Sequence, residues 1–132
     1  MKKFFIFFIL VFFNINIYTQ QYDHIELRVT VQTMLRDFSQ NKVAFDVKYK
    51  EKVVAVTGTV HGIDQSVSNP NFYIVRLNHS RSMGIYDEVY CAFNVKQLEH
   101  ILTLRVSQEI TIAGIARRNL WVPELHDCII IN

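Results

Sequence analysis

Two cysteines and four glycines are all that this chain of 132 residues contains of those types, and neither charge sign is in marked excess. No C-x-x-C pair occurs. A zinc centre would have to be assembled from His126 and Cys128, which project from one side of a strand, with Cys91 nearby; three ligands without paired spacing are too little, and no metal is expected. His24, His61, His79 and His100 are scattered through a helix and loops without ligand spacing and are read as solvated. A nucleophile elbow, a phosphate-cradling glycine loop and an H-E-x-x-H run are all missing. Acidic residues such as Asp87 and Glu88 fall at turns and strand ends, where solvated charge is the default. The chain therefore reads as non-catalytic and without a cofactor.

Long hydrophobic runs are scarce too. The first is Phe4 to Phe13, placed behind Lys2 and Lys3 and followed by "NINIYTQ", which is the layout of a secretory signal and assigns residues 1–20 to a leader. A spanning helix needs about 20 mostly apolar residues, and Asn14 and Asn16 interrupt this run earlier. Two outcomes stay open: cleavage before Gln20, with Ile17 and Thr19 ahead of the cut, or an uncleaved leader as the means of membrane attachment. No cysteine follows the run, which argues against anchoring at a processed N-terminal cysteine. The expected location is periplasmic or secreted.

Removing Lys2 and Lys3 with the leader leaves twelve basic against twelve acidic residues. Phosphate backbones are gripped by accumulated Lys and Arg through counterion release, so near-neutrality disfavours nucleic acid while leaving room for a local basic patch. A hydrophobic content of 50% with 20% charge is that of one globular domain with a core.

What is present alternates between two periods. Leu27, Val31, Met34, Leu35 and Phe38 recur on one helical face, and Asp23 with Glu26 has the spacing of a capping box, so a helix is expected over Asp23 to Gln40. It would cover or plug the following sheet. "NKVAFDVKYKEK" is expected as a turn and lead-in, with Asn41 as a cap and Val43, Ala44 and Phe45 packing down; with the helix it makes up residues 21–49. Residues 50–132 form the body. "KVVAVTGTV" runs as a first strand to His61, "GIDQSVSNPN" is a polar loop, "FYIVRL" (72–77) is a second strand and "EVYCAF" (88–93) a third. A second helix begins at Asn94, with Val95, Leu98, Ile101 and Leu102 as its stripe. "EITIAGIA" and "LHDCIII" are the fourth and fifth strands.

Five short strands have costly edges, and closing them into a barrel removes those edges. Gly58 and Gly114, each set inside a strand, mark the bends such closure needs. A mainly β, five-stranded OB-fold barrel, with an N-terminal helix and a helix between strands three and four, fits this order. The blocks "NKVAFDVKYKEKVVAVTGTVHGI", "VYCAF", "LTLRVSQEITIAG" and "LHDCIII" resemble the tRNA-anti-like family, largely small exported bacterial OB-fold proteins, from about Leu35 onward. Ser107 stands where such sequences usually carry glycine. The resemblance implies an OB-fold, and a shared fold does not transfer a ligand.

OB-folds bind through strands two and three and the loops joining strands one to two and four to five. Those places hold Phe72, Ile74, Arg76 and Tyr90 on the outer face and Arg117, Arg118 and Trp121 in the last loop. Either they bind an unidentified oligosaccharide, peptide or envelope protein, or Phe72 and Ile74 lie under the N-terminal helix and Trp121 closes the barrel end. A single-stranded nucleic-acid binder is the alternative. Cys91 and Cys128 lie on neighbouring strands, where they form either a disulfide or two separately buried thiols; a bulge near Asp127 would be needed to aim both sulfurs together.

Overall fold

The computed structural model describes residues 22–79, 87–119 and 121–131. The leader assigned to residues 1–20 lies outside them. The elements run β1 (Leu27–Thr30), α1 (Val31–Gln40), α2 (Lys42–Tyr49), β2 (Val53–Gln65), β3 (Phe72–Asn78), β4 (Val89–Asn94), a 3-10 turn (Val95–Gln97), α3 (Leu98–Ile101), β5 (Glu109–Arg118) and β6 (Pro123–Ile130). The expected five strands are β2 to β6. They join in the order β2-β3-β4-β6-β5, and β5 pairs back onto β2, so the sheet closes. Every pairing within the barrel is antiparallel except β4 with β6. This is the OB-fold barrel, mainly β, with helices before it and between its third and fourth strands.

The core follows strand alternation. Val54, Val56, Val60, Val75, Leu77, Val89, Cys91, Phe93, Ile112 and Leu125 are buried in the barrel, and Val31, Met34 and Phe38 of α1 with Phe45 and Tyr49 of α2 pack against them. Phe45 sits between Phe38 and Tyr49, with ring centroids at 5.2 and 4.6 Å, which ties the two helices together. Among the described residues no helix is long and apolar enough to cross a membrane.

Four expectations change. The N-terminal helix begins at Val31, because Leu27 to Thr30 form a strand that pairs in parallel with Val54 to Thr57. Those β2 residues lie beyond the reach of β3 and would expose backbone donors and acceptors on that edge, so pairing there outweighs helical periodicity. Glu26 accepts the Val53 N–H at 2.8 Å instead of closing a capping box, and Thr30 caps α1 through the Thr33 N–H. The lead-in is a helix, α2, whose cap is Asn41, accepting from Val43 and Ala44; Phe45 packs down, but Val43 and Ala44 face solvent. The helix after Asn94 is only a 3-10 turn and one α-turn, and of its expected stripe Val95 and Leu102 are exposed.

The glycines are points of close approach. A Cβ on Gly58 would lie 2.3 Å from Val31 Cγ2, so this glycine lets the start of α1 press onto β2. The register of β2 breaks one turn later, between Val60 and Gly62, where His61 is the extra residue; β2 then continues to Gln65 through what reads as loop. Gly114 faces the other break: Ala113 pairs Ile129 and Ile115 pairs His126, which leaves Asp127 and Cys128 opposite one residue. Asp127 has φ 51° there, and Ser107, at the position where glycine is usual, has φ 74°.

Candidate ligand-binding face

Because Val75 and Leu77 of β3 point inward, Phe72, Ile74 and Arg76 occupy its outer side, and by the same alternation Tyr90 leaves β4 outward between the buried Val89 and Cys91. Register then sets Gly62, Arg76, Tyr90, Glu124 and Arg117 in one row across β2, β3, β4, β6 and β5. Four of the residues singled out in the sequence, Phe72, Ile74, Arg76 and Tyr90, are thus gathered on one surface, half-buried, and Arg117 ends its row. Arg118 follows on β5 opposite Pro123. Trp121 is directed elsewhere. It is exposed in the β5–β6 turn, its backbone N–H donating to Asn119 Oδ1 at 2.8 Å, and it lines a groove of about 470 Å³ with Gln32, Arg36 and Ser39 of α1, Lys42, His79 and Asp87.

The centre of the row is a charged cluster that the sequence reading passes over. The bulge at His61 aims the imidazole at Glu88, whose Oε1 meets His61 Nδ1. Arg76 lies flat over β2, where a Cβ on Gly62 would come within 2.0 Å of its Nη2. From there Arg76 Nε donates to Asp64 Oδ2 at 3.2 Å, and Nη1 reaches both Glu88 oxygens at 3.4 Å. Glu88 is 1% exposed, the one buried charged residue among the described residues. The expectation of a solvated Glu88 fails because the Arg76 guanidinium from β3 and the His61 ring from β2 enclose it, and a paired, hydrogen-bonded carboxylate can be buried. His61 is likewise engaged. Gly62 and Asp64, expected in a loop, belong to β2. The periodicity that placed Tyr90 outward also placed Glu88 on its side; what the sequence could not show was the bulge that brings His61 over it.

The far end of the row repeats the pattern in weaker form. Glu124 accepts from Asn119 Nδ2 at 2.6 Å and meets His126 Nε2 at 3.0 Å. The bond to His126 foremost, with Asn119 and the nearby Arg117 charge, holds the Glu124 carboxyl below its usual range against partial desolvation. Arg117 Nε pairs with Glu51 Oε1 at 3.6 Å. Each arginine of the face whose side chain is described is therefore matched by a carboxylate, and the face carries alternating charge.

Cys91 and Cys128 are not part of this surface; both are buried inside the barrel. His126 turns outward to Glu124 while Cys128 turns inward, so the expectation that both project from one side of β6 is corrected: the Asp127 bulge reverses the parity between them. Among the described residues no cluster of three His, Cys, Asp or Glu could hold a metal ion.

Comparison with known proteins agrees with this architecture. The tRNA-anti-like family profile matches residues 3–129. A lipoprotein of Klebsiella pneumoniae subsp. pneumoniae, proposed to bind nucleic acid, superposes with a TM-score of 0.70 at 18% identity, covering 86% of this chain and all of that one. An OBody bound to hen egg-white lysozyme matches at a TM-score of 0.47 and 15% identity, over 64% of this chain and 86% of that chain. The Stn1–Ten1 complex of S. pombe matches at 0.46 and 9%, over 61% and 58%. No curated protein matches.

Proposed function

Since this chain belongs to the tRNA-anti-like family of OB-fold proteins, we propose that it is an exported, non-catalytic binding module whose outer β2–β3–β4–β6 face docks a protein or peptide partner carrying both charge signs. The observation that carries this reading is the pairing of Arg76 with Asp64 and Glu88 and of Arg117 with Glu51. A nucleic-acid face gains most of its affinity from uncommitted cations that displace counterions. Here the two arginines of the face whose side chains are described are each paired with a carboxylate, and Asp64, Glu88, Glu124 and Glu51 stand in or beside the row. Phe72, Ile74 and Tyr90 supply apolar and aromatic area beside these charges, a composition suited to a protein interface. Export rests on the leader, residues 1–20.

Single-stranded nucleic acid is the second reading, favoured by the likeness to the Klebsiella lipoprotein, proposed to bind nucleic acid, and by Tyr90 standing beside Arg76 on the face. Titration of the full chain with single-stranded oligonucleotides at low and high salt separates the two. A protein-binding face gives no retention that falls with salt. An affinity that drops steeply with salt and is lost in the Arg117→Ala, Arg118→Ala double variant would establish the second reading instead.

A further inference from the structure

The barrel interior holds the chain's two cysteines side by side. Cys91 leaves β4 inward, Cα-paired with Leu125 of β6. Regular alternation from Leu125 would send Cys128 outward, away from Cys91. Instead the bulge at Asp127, whose carbonyl is held by the Tyr22 hydroxyl at 2.5 Å, turns Cys128 into the core. Both thiols lie in the same buried cluster of the barrel, and the Cys91 side chain is a neighbour of the Cys128 thiol. Room for them comes from Gly114, where a Cβ would lie 2.7 Å from Cys128 Sγ and 2.8 Å from the His126 carbonyl oxygen. Bulge, glycine and the Tyr22 clamp thus converge on one outcome, the facing of two sulfurs that lie 37 positions apart in the sequence.

We propose that Cys91 and Cys128 form a disulfide that joins β4 to β6 across their parallel pairing. The oxidant is a disulfide-donating protein or small-molecule disulfide. One cysteine thiolate attacks the donor's S–S bond, forming a mixed disulfide and releasing one donor thiolate. The second cysteine then attacks the sulfur of the first, breaking the mixed disulfide as the protein's S–S bond forms, and the donor leaves in its reduced form, as a dithiol or as two thiols, with the two electrons and two hydrogens. Exchange occurs while the chain is still open, because in the closed barrel Cys91 is fully buried and Cys128 is 1% exposed. Burial foremost, and then the neighbouring Cys91 thiol, push the Cys128 thiol well above its ordinary range, so the folded dithiol is unreactive and the folded disulfide resists reductant. The placement of this bond does not depend on what the outer face binds.

The test refolds the full chain from denaturant in a glutathione redox buffer, traps free thiols with an alkylating agent after denaturation, and measures intact mass. The expected product is unalkylated and two hydrogens lighter than the dithiol, and its melting temperature falls by on the order of 10 °C when the bond is reduced before refolding. Two alkylated thiols, or a glutathione adduct on each cysteine without a cross-link, would overturn the proposal. The Cys91→Ser variant gives a second readout: with its partner gone, Cys128 is expected to be alkylated or to carry glutathione. If wild type and variant show the same Cys128 reactivity, the two sulfurs do not pair.

Discussion

The two bulges of the barrel use one backbone device to opposite ends. At His61 the extra residue of β2 throws an imidazole outward onto Glu88; at Asp127 the extra residue of β6 turns Cys128 inward onto Cys91. A glycine attends each, but differently. Gly114 faces backbone and a buried sulfur, which cannot give way, whereas Gly62 faces the end of the Arg76 side chain, which can. The difference teaches that the inner bulge is held by packing and the outer one by charge. Damage at the first should therefore appear as lost stability, and damage at the second as altered surface recognition.

The largest expected effect is at the inner bulge. Gly114→Ala places a methyl against Cys128 Sγ and the His126 carbonyl, and overpacking of this kind should cost about 3 kcal/mol. Chemical denaturation measures it; an unchanged midpoint would mean that the inner bulge is not held by packing. Next comes Glu88→Ala, which strips the partner from Arg76 and His61. Breaking a fully buried pair costs about 3–5 kcal/mol, but Arg76 and His61 keep side-chain exposures of 31% and 46%, so solvent should reduce the loss to about 1–2 kcal/mol. A loss as large as that of Gly114→Ala would erase the contrast between the two regions.

Gly62→Ala sharpens it further. The Cβ displaces Arg76 from Asp64 and Glu88, yet Gly62 has no positive φ, so alanine fits its backbone and stability should shift by less than about 1 kcal/mol while partner binding weakens. Smallest is a pH effect near β6. Because the Glu124 carboxyl is depressed in the folded protein, its contribution is present above the unfolded-state value of about 4.3 and is lost as pH falls through the lower folded value. Glu124→Gln should flatten that acid-side decline in a pH series of thermal midpoints, leaving neutral pH nearly unchanged.

Much of the fold was legible because strand alternation is local. Val75 and Leu77 inward with Arg76 outward follow from period two, and so does Tyr90 on the same outer surface. The parallel strand β1 was not legible: Leu27 and Val31 fit a helical stripe, and only the unpaired stretch of β2 makes Leu27 to Thr30 extended. Val43 looked apolar and therefore inward, but α2 spends its buried face on Phe45 and Tyr49. For the outer face the sequence offered aromatics and arginines and missed the carboxylates, since a glutamate at a strand end carries no local sign of being enclosed.

The sequence by itself determined the order of the five barrel strands, the inward and outward faces of β3 and β4, and the need for a bulge near Asp127 if the two cysteines are to meet, since each of these follows from side-chain period and parity along one segment. Tertiary structure alone decided what Gly58, Gly62 and Gly114 are for. Each is a glycine because of an atom brought to it from a distant element: Val31 from α1, Arg76 from β3 and Cys128 from β6. Glu88 is buried for the same reason, its two partners, His61 and Arg76, arriving from β2 and β3. Contacts between segments far apart in the chain depend on register and closure, which local pattern does not encode.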